Sequence, residues 1–282
     1  MRRFVMRVPS SLNEACKIIS EEEDARFIAG GTALLILIKQ GLFVPKTLVN
    51  LQKIREAREV TYNNKDGLRL GGLASIYDIE SAPVVREHYP LLAQACHVVA
   101  NIRIRNMATL GGNLAHADYQ SDPPAALVAL NASVQLTSSA GTRNVKLVNF
   151  LRGAYETALG SNELLSAVLV PPPLPMSKGI YLKFTTRSSE DRPCAGIAAM
   201  MRCSNDVFED VRVVVGAVSP APVVVADQVL IKSKKQASES IEEIARTAGA
   251  AVDPVDDLRG SKDYKRKLVT VLVRRALTGC MV

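Results

Sequence analysis

Residues 25–34 read ARFIAGGTAL, and this stretch decides the first part of the fold. Its apolar start, Ala25 to Ala29, predicts a strand, and a helical pattern with Leu34, Leu35 and Ile38 follows the paired glycines. Glycines between a strand and a helix let successive N–H groups point into one concavity that favours an anion. Taken alone, such a turn is more often structural than a ligand site.

The neighbouring segments extend this stretch into a compact α/β unit. We expect strands over Arg3–Val8 and Thr47–Leu51, with a helix between the first two strands that Ser10 or Ser11 caps. The glycine stretch matches neither G-x-G-x-x-G nor G-x-x-x-x-G-K-[ST]. The sequence therefore does not support a doubly wound dinucleotide fold or a nucleotide-triphosphatase loop.

Composition restricts the class of protein. The chain has 282 residues, 48% of them hydrophobic, and a formal charge of +7 from 35 basic and 28 acidic residues. These values exclude disorder and indicate about two or three packed units. The lack of Trp and the low aromatic content favour a solvated basic surface over nucleic-acid binding.

Five dispersed cysteines form no disulfide framework and no ligand set, so we expect no metal site and no iron–sulfur cluster in this chain. No apolar run is long enough to cross a bilayer, and none follows the basic start as a secretory signal would require. We expect a cytoplasmic protein without a transmembrane segment.

A second paired-glycine stretch, IRNMATLGGN, occupies residues 104–113 and is interpreted as part of a loop over Asn101–Asn113. Nine residues later, Asp122 precedes two prolines. It is positioned to cap a helix or to accept a hydrogen bond from a ribose or an adenine, and capping is the favoured interpretation.

The proline-rich run PPPLP at residues 171–175 predicts a domain boundary. We expect a first subdomain over 1–55, a second over 56–172 and a third unit over 176–282. In the second subdomain, the polar residues 63–67 predict a turn into a strand over Leu68–Leu70. In the third unit, three antiparallel strands (Ile180–Thr186, Ala195–Arg202 and Val211–Val218), a hairpin turn at 204–206 and two helices (Ser238–Ala248 and Asp263–Leu277) predict an α+β domain.

Five motifs together carry a resemblance to a known family. They are FIAGGT (27–32), IRN (104–106), TLGGN (109–113), SDPP (121–124) and YLKF (181–184). With the final basic helix they resemble the FAD-binding medium subunit of molybdenum hydroxylases, the family of xanthine dehydrogenase and carbon monoxide dehydrogenase. The resemblance covers essentially the whole chain.

The resemblance implies an α+β fold in which two small α/β subdomains form an FAD-binding domain of the PCMH/xanthine dehydrogenase type. A C-terminal α+β domain with a three-stranded antiparallel sheet and helices follows. It also implies an oxidoreductase subunit that receives electrons from [2Fe-2S] clusters in a small partner subunit. Molybdopterin would lie in a large partner subunit, and the assembly would be a dimer of heterotrimers.

The resemblance also implies which residues hold FAD, and no catalytic residue or metal ligand is expected. Two segments would wrap the pyrophosphate, Asp122 would anchor the ribityl region, and Leu165 and Lys183 would approach the flavin ring, with Lys183 as a lone cation that stabilises reduced flavin. The full set is Ile28, Ala29, Gly30, Gly31, Thr32, Ala33, Leu34, Val99, Ala100, Ala108, Thr109, Gly111, Gly112, Asn113, Asp122, Leu165 and Lys183.

Two other functions remain open at this point. One is a freestanding FAD-dependent oxidoreductase of the same fold, which would need its own acid or base over the flavin ring. The other is a basic module for RNA or another anion, which would leave both paired-glycine stretches unexplained.

Overall fold

The computed structural model describes residues 3–204, 207–231 and 234–281. Its N-terminal part is a parallel sheet of strand order β1-β3-β2, built from β1 (Val5–Arg7), β2 (Ala25–Ile28) and β3 (Thr47–Asn50). Helices α1 (Leu12–Glu21) and α2 (Leu34–Lys39) connect these strands. Ser11 caps α1, because its Oγ accepts a hydrogen bond from Glu14 N at 3.2 Å. The predicted α/β unit is confirmed.

A second sheet is antiparallel throughout and has the order β4-β5-β10-β6-β7. The strands of this region, which include the separate ribbon β8-β9, are β4 (Val60–Asn63), β5 (Gly67–Gly71), β6 (Ser133–Ser138), β7 (Gly141–Lys146), β8 (Leu151–Gly153), β9 (Glu156–Thr157) and β10 (Leu164–Val170). The turn expected at residues 63–67 joins β4 to β5.

Short helices cover this second sheet: α3 (Ile76–Ser81), α4 (Pro83–His88), α5 (Pro90–His97), α6 (Ile102–Met107), α7 (Leu110–His116), α8 (Pro123–Ala129) and α9 (Leu147–Phe150). The loop expected over Asn101–Asn113 is wrong, since α6 and α7 occupy most of it. Asn101 and Thr109 cap these helices by accepting hydrogen bonds from Ile104 N and Gly112 N. The second paired-glycine stretch therefore enters a helix.

The C-terminal sheet runs β11 (Ser177–Phe184), β12 (Ala195–Ser204), β13 (Val207–Gly216) and β14 (Val223–Ile231) in that order, all antiparallel. The described part of this sheet has four strands, so the expected three is corrected. Strand β14 lacks a regular alternation because its pairing with β13 is interrupted by register shifts and Gln228 has a φ of +55°. Residues 205 and 206 of the expected hairpin turn lie outside the described residues.

The C-terminal sheet is covered on both faces. On β12, Ile197 and Ala199 pack with helices α10 (Lys234–Ala251) and α11 (Lys262–Cys280), whereas Ala198 belongs to the core of the second sheet and its helices. On β11, Tyr181 also joins that second core. Side chains alternate along a strand, so Lys183 shares the face of Tyr181. No helix in the described ranges is long and apolar enough to cross a membrane.

Candidate cofactor site

The two paired-glycine stretches contact each other through their backbones. A Cβ on Gly30 would lie 1.9 Å from the carbonyl oxygen of Met107. Such a distance cannot be relieved by turning a side chain, because the obstacle is main chain. The turn after β2 and the end of α6 are thus held together only because residue 30 has no side chain.

These stretches form one side of a cleft of about 480 Å³. All expected site residues except Val99, Ala100, Asp122 and Lys183 line it: Ile28, Ala29, Gly30, Gly31, Thr32, Ala33, Leu34, Ala108, Thr109, Gly111, Gly112, Asn113 and Leu165. Apolar side chains that were not predicted, Phe27, Phe43 and Leu73, complete the walls. The cleft therefore combines a side-chain-free backbone surface with apolar walls.

Gly72 is a site residue that the sequence reasoning missed. It lines the cleft, accepts a hydrogen bond from Gly111 N at 2.8 Å, and a Cβ on it would lie 2.1 Å from Leu165 O. Because Gly72 has no side chain, α7 and β10 can both lie against its backbone at the base of the cleft. The signal was available, since residues 71–72 are a third pair of glycines in the sequence.

The glycines of the cleft have different structural roles. Gly31 has a φ of +70°, a left-handed conformation that side chains disfavour. Gly112 lies inside α7, where a Cβ would meet only the side-chain oxygen of Thr109, at 2.8 Å. The backbone conformation therefore disfavours a side chain at Gly31 but not at Gly112.

The four remaining expected residues form a second group between α5, α8 and β11. Asp122 is 3% exposed and does not cap α8 with its side chain, so the capping interpretation is wrong. Its carboxylate instead accepts hydrogen bonds from Tyr181 Oη at 2.9 Å and from Lys183 Nζ at 3.1 Å. Lys183 Nζ also donates to Val98 O at 2.7 Å.

The second group is linked to the cleft through the residue that precedes Asp122. Ser121 Oγ donates a hydrogen bond to Asn113 Oδ1 at 2.9 Å, and Asn113 lines the cleft. The start of α8 is therefore bonded to α7. This connection orients the two groups of expected residues relative to each other.

The buried ion pair sets the electrostatics of the second group. Because Lys183 pairs with Asp122, the expectation of a lone cation is wrong, and the pair presents little net charge. Burial raises the pKa of Asp122 to about 6, although the ammonium of Lys183 and the hydroxyl of Tyr181 act in the opposite direction. Burial, together with the carboxylate of Asp122, also raises the pKa of Tyr181.

The raised pKa of Asp122 predicts a pH effect on stability. The folded state holds this proton up to about pH 6, whereas the ordinary carboxyl loses it near 3.8. The stabilisation of the folded state by this bound proton is complete below pH 3.8 and is lost as the pH rises through 6. We expect the free energy of unfolding, relative to Asp122→Asn, to be about 1 kcal/mol greater at pH 5 than at pH 7. Urea titrations of the wild type and of Asp122→Asn at both pH values measure this difference in the free energy of unfolding. A difference that does not change with pH would contradict the raised pKa of Asp122.

Two known protein families match consecutive parts of this chain. The family described as the FAD binding domain in molybdopterin dehydrogenase matches residues 2–173, which include the whole cleft. The family described as the CO dehydrogenase flavoprotein C-terminal domain matches residues 180–279. Together the two matches span nearly the whole chain.

Individual relatives match at similar length. The chain is 32% identical to the nicotine 6-hydroxylase medium subunit of Paenarthrobacter nicotinovorans (95% of this chain, 94% of the relative). It is 30% identical to the glyceraldehyde dehydrogenase medium chain of Sulfolobus acidocaldarius (94% of each). A carbon monoxide dehydrogenase structure from Hydrogenophaga pseudoflava superposes with a TM-score of 0.93 at 30% identity (99% of this chain, 98% of that one). The chain belongs to the family of FAD-binding flavoprotein subunits of molybdopterin dehydrogenases, as the resemblance implied.

Proposed function

We propose that this chain binds FAD in the cleft and transfers electrons to an external acceptor as one subunit of a molybdenum hydroxylase. The observation that carries the proposal is the meeting of two paired-glycine stretches, from separate elements, at one cleft. Residues 29–34 and 109–113 would hold the pyrophosphate there. The proposal assigns the flavin ring to Leu165 and Lys183, the ribityl region to Asp122, and the lining of this flavin end of the cofactor to Val99 and Ala100.

The residues present fit such a cofactor. A pyrophosphate requires close approach of the backbone, and the glycines of the two stretches leave that approach free of side chains. Gly111 N and Gly112 N already donate to Gly72 O and Thr109 Oγ1, so the second stretch contributes its shape to the site rather than these two N–H groups. The apolar walls formed by Phe27, Phe43 and Leu73 suit a flat ring system. A ligand with both features matches the cleft better than a simple anion does.

Bound FAD would supply reversible one- and two-electron chemistry, and the chain would supply its position and surroundings. Lys183 cannot act as an isolated charge, because its side chain is 6% exposed and its ammonium lies 3.1 Å from the carboxylate of Asp122. The pair therefore acts on a neighbouring ring as a dipole, with the ammonium also fixed by Val98 O.

The proposed partners are a molybdopterin-binding large subunit and a [2Fe-2S] small subunit, in a dimer of heterotrimers. The relatives support this, because their names describe medium chains and medium subunits. The unpaired thiols of Cys16, Cys96, Cys194 and Cys280 suit the reducing cytoplasm, where we place the assembly. We also retain the proposed division into 1–55, 56–172 and 176–282.

The proposal predicts noncovalent FAD. We expect the purified chain, mixed with FAD and passed through a desalting column, to keep flavin absorbance. Acid precipitation should then release that flavin into the supernatant. A protein that is colourless after the desalting column would contradict the proposal, and flavin that stays with the acid precipitate would contradict noncovalent binding.

Light scattering during size-exclusion chromatography tests the partners. Mixed with the iron–sulfur and molybdenum subunits from the same cell, the chain should elute as a complex of all three. Turnover of a small substrate by the isolated chain with oxygen or a nicotinamide, without any partner, would favour the freestanding oxidoreductase.

A further inference from the structure

A cluster of buried charges lies beside the second group of site residues and is not used by the proposed function. Glu80 on α3 is 7% exposed, and its Oε1 lies 2.6 Å from His97 Nδ1. Its Oε2 lies 2.7 Å from Nε of Arg105 on α6, in an ion-pair contact without hydrogen-bond geometry. A buried carboxylate is costly unless it is paired, so its retention here calls for an explanation.

Arg105 extends from Glu80 to the backbone turn that follows α5. Its Nη1 donates to Val99 O at 3.0 Å and to Ala100 O at 3.4 Å, while Lys183 Nζ donates to Val98 O at 2.7 Å. Three successive carbonyls are therefore held by two cations whose side chains are 11% (Arg105) and 6% (Lys183) exposed. Each cation has its own buried carboxylate, Glu80 or Asp122.

The turn held in this way is strained. Ala100 has a φ of +41°, which a residue with a side chain rarely adopts and which persists only where its surroundings enforce it. Ala100, Lys183 and Arg105 also line a cavity of about 430 Å³. The charges thus fix a strained backbone segment at the wall of a cavity.

We propose that Glu80 and Arg105 are positioning residues for the flavin end of the FAD site, because they hold the Val98–Ala100 turn in its strained conformation. This inference rests on the proposed function, which assigns Val99 and Ala100 to that end. Arg105 acts through the two carbonyls, and Glu80 acts through Arg105. Neither residue is assigned a contact with the cofactor.

The test compares the affinity for FAD with the affinity for ADP, which lacks the flavin. Arg105→Met should weaken FAD binding about tenfold, as expected for the loss of charge-assisted hydrogen bonds, and leave ADP binding unchanged. The matched control is Arg103→Met, since Arg103 lies on the same helix, is exposed, and makes no hydrogen bond or ion pair among the described residues. That variant should bind both ligands as the wild type does.

A second variant keeps the test valid if Arg105→Met, which leaves His97 as the remaining side-chain partner of Glu80, fails to fold. Glu80→Gln/Arg105→Met removes both charges, and it should show the same tenfold loss for FAD alone, because both residues act through one turn. If Glu80 and Arg105 had a purely structural role, the variants would have a lower melting temperature, and their affinities for FAD and ADP would change equally.

Three outcomes overturn the inference. The first is a folded double variant with wild-type affinity for FAD, and the second is an equal loss of affinity for FAD and ADP. The third is a wild-type chain that does not bind FAD, which overturns the proposed function as well and is thereby distinguished from the other two.

Discussion

Gly31→Val is expected to weaken FAD binding about a hundredfold in a chain that still folds. Gly31 has a φ of +70°, where a β-branched side chain is strongly disfavoured, so the backbone must rotate. Rotation turns the N–H groups of the first paired-glycine stretch away from the pyrophosphate. Loss of two charge-assisted hydrogen bonds accounts for a change of this size.

Gly41→Val is a matched control for this substitution. Gly41 has a φ of +73°, and a Cβ on it would meet no atom within 4 Å. The two variants therefore share the cost of the left-handed conformation, about 1–2 kcal/mol, but Gly41 does not line the cleft. Fluorescence titration measures the affinity of each variant for FAD, and circular dichroism shows whether each variant is folded. Equal affinities of the two variants would mean that the turn at Gly31 does not hold the cofactor.

Local patterns in the sequence predicted those elements whose stability is local. Ser11 and the apolar spacing after it predicted α1, and the polar turn at residues 63–67 predicted the hairpin of β4 and β5. Helices α6 and α7 were missed because each has only six or seven residues, too few for a helical period to show. The caps Asn101 and Thr109 were the usable signal.

Contacts between distant segments could not be predicted from the same patterns. The requirement for glycine at position 30 comes from Met107 O, and nothing in residues 25–34 reveals it. The two prolines after Asp122 favour a helix cap at this residue, yet its partner Lys183 is 61 residues away. The family resemblance supplied the members of the site, whereas their mutual contacts required the fold.

Asp122→Ala is expected to destabilise the folded chain by about 3–5 kcal/mol. The substitution removes the carboxylate that pairs with the ammonium of Lys183, whose side chain is only 6% exposed. Loss of a helix cap would cost only about 1 kcal/mol. Chemical denaturation of the FAD-free chain therefore separates the two roles, and a loss near 1 kcal/mol would contradict the importance of the buried pair.

The double variant Asp122→Asn/Lys183→Met shows whether the two charges act as a unit. Because it leaves no unpaired charge, we expect it to be more stable than Asp122→Ala, with a coupling energy of at least about 1 kcal/mol in the double-mutant cycle with Asp122→Asn and Lys183→Met.

The hypothesis that Lys183→Ala mainly lowers the flavin reduction potential assumes an isolated cation. If the pair acts as a dipole, removing both charges should change the potential less than removing Lys183 alone. Equal shifts in the potential would instead show that the ammonium acts independently of Asp122.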